Sequence, residues 1–209
     1  MPVRVVPRQG CRMRVLTTAI LTLPAIAATV SGAAAESSTV GVVITSDRDP
    51  GEFADPKGIK YQLNGGHTFD NGLILGGSFE YRDRAFSPRT GQNLEGTIGY
   101  RIPANFAVSI FGSAGLGEHW RQNPGAAFPY YVLRVGADLN LNRIITWNAI
   151  TFRYRNAFDP DDNFNTPQLA TGFTFKMDEQ RAITATIMRN WRGGTPSSTG
   201  VALGFRQGF

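Results

Sequence analysis

Alternation with a period of two runs through nearly all of the chain after residue 35, and it restricts the fold more than any other feature. Leu73, Leu75, Gly77, Phe79 and Tyr81 share one face, and Ile74, Gly76, Ser78, Glu80 and Arg82 share the other. The same division separates Leu94, Gly96, Ile98 and Tyr100 from Glu95, Thr97, Gly99 and Arg101, and Tyr131, Leu133, Val135 and Ala137 from Val132, Arg134, Gly136 and Asp138. A period of two is the mark of a strand whose faces meet different surroundings. Ten such segments are expected near 38–46, 58–69, 72–83, 93–103, 106–118, 129–141, 144–156, 166–177, 181–192 and 198–209. Most have the length of a tilted membrane-crossing strand. The first and ninth are patterned less cleanly, so eight strands is the alternative count.

The links between segments sort by length. Those near 47–57, 84–92, 119–128, 157–165 and 193–197 are mostly long and polar, and those near 70–71, 104–105, 142–143 and 178–180 are tight. If the N-terminus lies in the periplasm, the longer links fall outside and the turns inside, as in outer-membrane barrels. A soluble lipocalin-like barrel would alternate too, with apolar side chains inward. The aromatic residues separate the two cases. Tyr61, Tyr81, Tyr100, Tyr131, Tyr154, Trp147, Trp191 and Phe209 lie mainly near strand ends, where interfacial girdles form. The expected fold is all-β: a closed antiparallel transmembrane β-barrel of about ten strands, with short periplasmic turns and longer outer loops. Its lipid-facing set includes Leu75, Phe79, Ile98, Leu133, Val135, Phe152, Phe173 and Leu203.

The first 35 residues read differently. Arg4, Arg8, Arg12 and Arg14 precede an apolar stretch at 15–30 and the small residues Ser31, Gly32, Ala33, Ala34 and Ala35. That order is a cleavable secretory signal with an A-x-A site, which makes 1–35 a signal peptide and 36–209 one barrel domain. Pro24 and the short apolar run argue against a membrane anchor. The segment carries four of the 21 Lys and Arg and none of the 16 Asp and Glu, leaving 17 against 16 and a net of +1 in the mature chain. The basic balance of the whole chain therefore does not speak for nucleic acid. Cys11 leaves with the signal, so the mature chain has no disulfide and no thiol metal site.

The chain ends Val201, Leu203, Phe205, Gln207, Phe209 in steps of two. A last strand of this kind with a terminal Phe resembles the C-terminal signature of outer-membrane barrels, with Gln207 departing from the usual apolar residue. Across 36–209 the chain looks like the small integral outer-membrane barrels of the OmpA/OmpX class, broadly defined. The resemblance implies a place in the outer membrane of a Gram-negative envelope, with the lipid bilayer and lipopolysaccharide as surroundings. It also implies recognition of the last strand, at Phe205 and Phe209, by the outer-membrane assembly machinery. It does not fix an activity, because barrels host unrelated functions.

The inward face carries the charges of interest: Glu80, Arg82, Glu95, Arg134, Asp138, Arg153 and Arg155. If strands three and four turn about residue 88, Glu80 and Glu95 are cross-strand neighbours. Two adjacent carboxylates need cations between them, and Arg82, Arg134 and Arg153 are in reach. A salt-bridged plug is the expected outcome in a narrow barrel, ahead of a carboxylate pair for acid–base work or cation binding. His119 sits at the outer end of strand five and His67 at the periplasmic end of strand two. The H-x-S pair of lipid A deacylases fails, because Arg121 stands two after His119, and no omptin-like motif appears. The loop acids Asp47, Asp49, Glu52, Asp55, Asp159, Asp161 and Asp162 lack calcium-site spacing and read as solvated charge. No catalytic residue, metal site or cofactor is expected.

The expected role is structural or in surface interaction. A narrow porin-like channel is the first rival, because the inward residues Lys60, Arg82, Arg101, Arg134, Arg153, Arg155, Lys176 and Arg206 face only Glu80, Glu95 and Asp138, a balance that prefers anions. A lipid A-modifying enzyme at the outer leaflet, centred on His119, is the second. Intact-mass measurement of protein from the cell envelope is expected to give a chain starting at Glu36. Retention of Met1 in the membrane-inserted form would count against the export signal.

Overall fold

The computed structural model describes residues 35–85, 90–105, 107–122, 125–162 and 164–209, so all but the last residue of the expected export segment lies outside the described residues. Ten strands follow in order: β1 (Ala35–Arg48), β2 (Pro56–Phe69), β3 (Leu73–Arg84), β4 (Thr90–Pro103), β5 (Val108–Arg121), β6 (Ala126–Asn140), β7 (Ile145–Ala157), β8 (Gln168–Lys176), β9 (Arg181–Arg192) and β10 (Thr195–Gly208). Each pairs antiparallel with its neighbours, and β1 closes on β10 from Thr39↔Gly208 to Arg48↔Thr199. Closure leaves no strand edge unpaired.

The ten-strand count holds, and the two weak patterns have a physical reason. Inward-facing Ala182, Thr184 and Thr186 of β9 are small, so they contrast little with outward Ile183, Ala185 and Ile187. In β1, Val43 lies on the inward face beside Gly41 and Thr45, which blurs the outward row of Val40, Val42 and Ile44. In β7 the parity changes within the strand. The pairing with β6 slips between Ala137 and Asp138, and the pairing with β8 slips between Asn148 and Thr151. A bulge of this kind re-aims side chains: Trp147 and Ile150 both point outward, and Asn148 turns inward to Asp138.

The four turns on the rim where β1 begins and β10 ends share one device. The side chains of Asn71, Asn105, Asn142 and Asp178 accept backbone N–H groups two or three residues on, at Leu73, Ala107 and Val108, Ile144 and Ile145, and Gln180 and Arg181. Asn and Asp favour turns for this reason. Hydrogen bonds from the Arg181 side chain and backbone, and then from the Gln180 backbone, hold the Asp178 carboxyl below its ordinary pKa. On the opposite rim, the link expected at 193–197 closes in two residues, Gly193 and Gly194, both at positive φ (54° and 83°). The link between β7 and β8 is long and contains a short 3-10 turn, Pro160–Asp162.

The polarity of the barrel is inverted relative to a soluble protein. Leu203 is 63% exposed on the outside, and Leu75, Phe79, Ile98, Leu133, Val135, Phe152 and Phe173 are exposed there with it. Glu95, by contrast, is 3% exposed and Arg155 4%. An apolar outer band around a charged interior is the transmembrane arrangement, and it excludes the lipocalin-like alternative. Aromatic groups gather toward both rims: Tyr131 with Tyr154 and Phe158 near the longer links, and Trp147 with Phe173 and Phe175 near the turns. Leu133→Arg is expected to cost about 2–4 kcal/mol of folding free energy in liposomes, measured by urea titration. Gly136→Ala should destabilise by another route, since its Cβ would run into the Phe111 ring and the Ile150 carbonyl.

Candidate functional site

The lumen is lined unevenly. Away from the strand ends, β8, β9, β10 and β1 turn small side chains inward, such as Ala170, Gly172, Thr184, Thr186, Ala202, Gly204 and Gly41. The strands β2 to β7 supply the long charged ones. Alternation of the β-backbone places each of them inward, and small residues opposite leave room for their reach.

The charges form three groups. The first joins β1, β2 and β3: Asp47, fully buried, pairs with Lys60 at 3.1 Å and with Arg82. The second joins β3 to β7. Glu95 accepts from Arg134 at 2.6 Å and from the Tyr130 hydroxyl at 3.0 Å, and pairs with Arg155. Arg155 also reaches Glu80 at 3.8 Å. Glu80 accepts from Asn93 Nδ2 at 2.9 Å, and His119 Nδ1–H donates to Asn93 Oδ1 at 2.7 Å. The third lies nearer the rim where β1 begins and β10 ends. Asp138 accepts from Arg101 at 2.7 Å and from Asn148 at 2.9 Å, while Arg101 also donates to Ser109 and Asn148 accepts from Thr174.

Above the second group sits an aromatic cluster. Phe164, from the link between β7 and β8, dips into the mouth and is 5% exposed. Its ring lies 4.8 Å from His119, 4.9 Å from Tyr130 and 5.3 Å from Phe128. On this side of the barrel a cavity of about 570 Å³ is lined by Lys60, Arg82, Arg121, Arg153, Arg155 and Arg192, with Glu80 the acid among its lining residues. A second, of about 580 Å³, lies at the opposite end, near the start of β1 and the end of β10, where Arg143, Lys176, Arg181 and Arg206 stand with Asp178 and Glu179.

Several expected contacts differ. Glu80 and Glu95 are not direct neighbours, because the register sets Glu80 against Asn93 and Glu95 against Ser78, with Asp83 opposite Thr90. The turn is centred nearer β3 than residue 88, and Arg155 bridges the two carboxylates diagonally. Arg82 serves Asp47, Asp138 belongs to a separate group, and Arg153 makes no ion pair among the described residues. Asp47 is not loop charge: it continues the inward row of Gly41, Val43 and Thr45 by one step, and extending that alternation would have found it. Tyr130 was readable in the same way, two residues before inward Val132. Asp49 and Asp159 are taken up by their own links, capping Gly51 and Glu52, and Asp161. His67 lies outward, bonded to Ser38 Oγ at 2.8 Å. His119 points into the lumen, so chemistry at the outer leaflet would need the lipid ester brought inside the wall. Phe205 faces outward in β10, and Phe209 exchanges backbone hydrogen bonds with Ser38.

No protein-family model matches the chain, and no curated protein matches it in sequence. Among solved structures, the KdgM porin is similar at 14% identity over 82% of this chain and 99% of that one, with a TM-score of 0.46. The NanC porin is similar at 9% identity over 80% and 98%, with a TM-score of 0.48. The β domain of the Bordetella autotransporter BrkA is similar at 10% identity over 82% and 98%, also at 0.48. The closed antiparallel wall and its inverted polarity are the architecture of the small integral outer-membrane barrels.

Removing one partner of the second group strands a buried charge. Glu95→Gln is expected to destabilise the folded barrel by about 2–3 kcal/mol in denaturant titration. Arg134→Met should act in the same direction, and the double variant should cost less than the two added together. Strict additivity would separate the residues energetically.

Proposed function

We propose that the chain forms a narrow, anion-preferring passage through an outer membrane. The observation that carries this reading is the cationic excess at both ends of the lumen, where the two cavities lie. Rings of Arg and Lys select anions when water connects them. The mostly small inward residues along β8, β9, β10 and β1 leave the lumen less filled beside the charged groups than β2 to β7 do. In this reading the termini are periplasmic and the longer links face outward. The segment 1–35 directs export, and the last strand, through Phe205 and Phe209, engages the assembly machinery. Lipid and lipopolysaccharide surround the apolar band.

The salt-bridged group of Glu80, Glu95, Arg134 and Arg155 favours a second reading, a closed barrel with a structural or surface-interaction role, since small barrels are usually filled by side chains. Conductance of purified protein in planar bilayers separates the two. A reversal potential displaced toward the chloride equilibrium value in a KCl gradient is expected for the passage, and Glu95→Gln should raise the conductance by loosening the group. Current no larger than that of the bare bilayer would select the closed barrel.

A further inference from the structure

Arg153 has surroundings that bulk anion preference does not account for. It stands in direct register with Arg134 across β6, and Arg155 follows two residues on along the same inward face. Across β8 its partner is the neutral Gln168. The nearby acids are already engaged, Glu95 by Arg134, Arg155 and Tyr130, and Glu80 by Arg155 and Asn93. Arg153 makes no ion pair among the described residues, and its buried Nε, like those of Arg134 and Arg155, has no hydrogen-bond partner. Like charges in cross-strand register repel, and a cation withdrawn from water without a counter-charge is costly. The arrangement is three guanidinium groups around two carboxylates, so one positive charge is left over on a half-buried side chain inside the lumen.

That surplus opens onto the cavity of about 570 Å³. Arg121 and Arg192, the last residues of β5 and β9, line it from the rim, and neither makes an ion pair among the described residues. Guanidinium groups meet carboxylate, phosphate and sulfate oxygens in paired hydrogen bonds. The volume is that of an ordinary small-molecule site, and Phe164 supplies apolar wall.

We propose that this cavity is a binding site for a small polyanion, a solute carrying two or more carboxylate, phosphate or sulfate groups, with Arg153 as its inner anchor and Arg121 and Arg192 gripping it at the rim. The site rests on the passage reading for its route of entry, but binding does not require the lumen to conduct. The test is calorimetric titration of citrate and of pyrophosphate into the purified full-length barrel in neutral detergent, alongside the bilayer recordings. Saturable binding is expected, weakened on the order of tenfold by Arg153→Met and by Arg192→Met, the loss of one charge-assisted contact each. Arg48→Met removes a cation of the same rim outside the cavity and is expected to leave affinity unchanged. Without ligand, Arg153→Met should unfold at a higher denaturant concentration than the parent, because a repulsion has gone. Absence of saturable binding overturns the site, as does equal weakening by Arg48→Met, which would mean diffuse attraction. Binding without conductance leaves the site standing and removes the passage. Anion conductance that citrate neither blocks nor slows removes the site and leaves the passage.

Discussion

A backbone placed in hydrocarbon has no water to take up its N–H and C=O groups, and every unpaired one costs several kcal/mol. The pairing of β1 with β10 follows from that demand. It turns a ten-strand meander, whose outer strands would each expose a row of donors and acceptors, into a wall without edges. The rest of the structure inherits the constraint. Strands must be long enough to cross, chain reversals must fall beyond the apolar band, and each reversal must satisfy its own polar groups. Asn71, Asn105, Asn142 and Asp178 do this at the four turns. Even the last residue takes part, since Phe209 is bonded to Ser38 rather than left to fray.

Closure decides where charge can go. With the outer face committed to lipid, a charged side chain in the middle of a strand can only point inward, into a lumen narrow enough to strip much of its water. Pairing then becomes obligatory, and the geometry of the pairs is set by register. Asp47 meets Lys60 and Arg82 from the two following strands, and Glu95 meets Arg134 two strands away. The space for such reaches comes from glycine. At Gly117, opposite Glu95 on β4 and Tyr130 on β6, a Cβ would strike the ring and hydroxyl of Tyr130, the hydroxyl that donates to Glu95. Small residues in this wall are therefore part of how the charged groups fit.

Much of this was legible in the sequence. The alternation of Leu73 to Tyr81 gives the strand, its faces and its lipid side at once, because period and solvent are the same signal. The outward set and the inward charges could be read for the same reason. Partners were harder, because a slip of one or two residues at a hairpin leaves every face correct and every neighbour wrong. The bend between β3 and β4 is such a case: Glu80 kept its inward direction and lost Glu95 as its direct neighbour. Bulges hide in the same way, as Trp147 and Ile150 show. Phe164 lay beyond the reach of pattern, since a link residue that folds back into the mouth follows no period.

The distribution of the unpaired cations is the last thing register explains. In the middle group, Glu80 and Glu95 sit between strands that carry three guanidinium groups, and two acids cannot neutralise three cations. The outer face is closed to the surplus by lipid, and the residues opposite Arg153 are the cationic Arg134 and the neutral Gln168, neither of which can neutralise it. Further cations without an ion pair among the described residues stand where the lumen widens, Arg121 and Arg192 on one side and Arg206 and Lys176 on the other. Both ends of the lumen therefore carry more cationic than acidic lining residues. Arg153, which makes no ion pair among the described residues, keeps its charge at the boundary between mouth and middle, where water is scarcer than in the mouth and an uncompensated charge costs more.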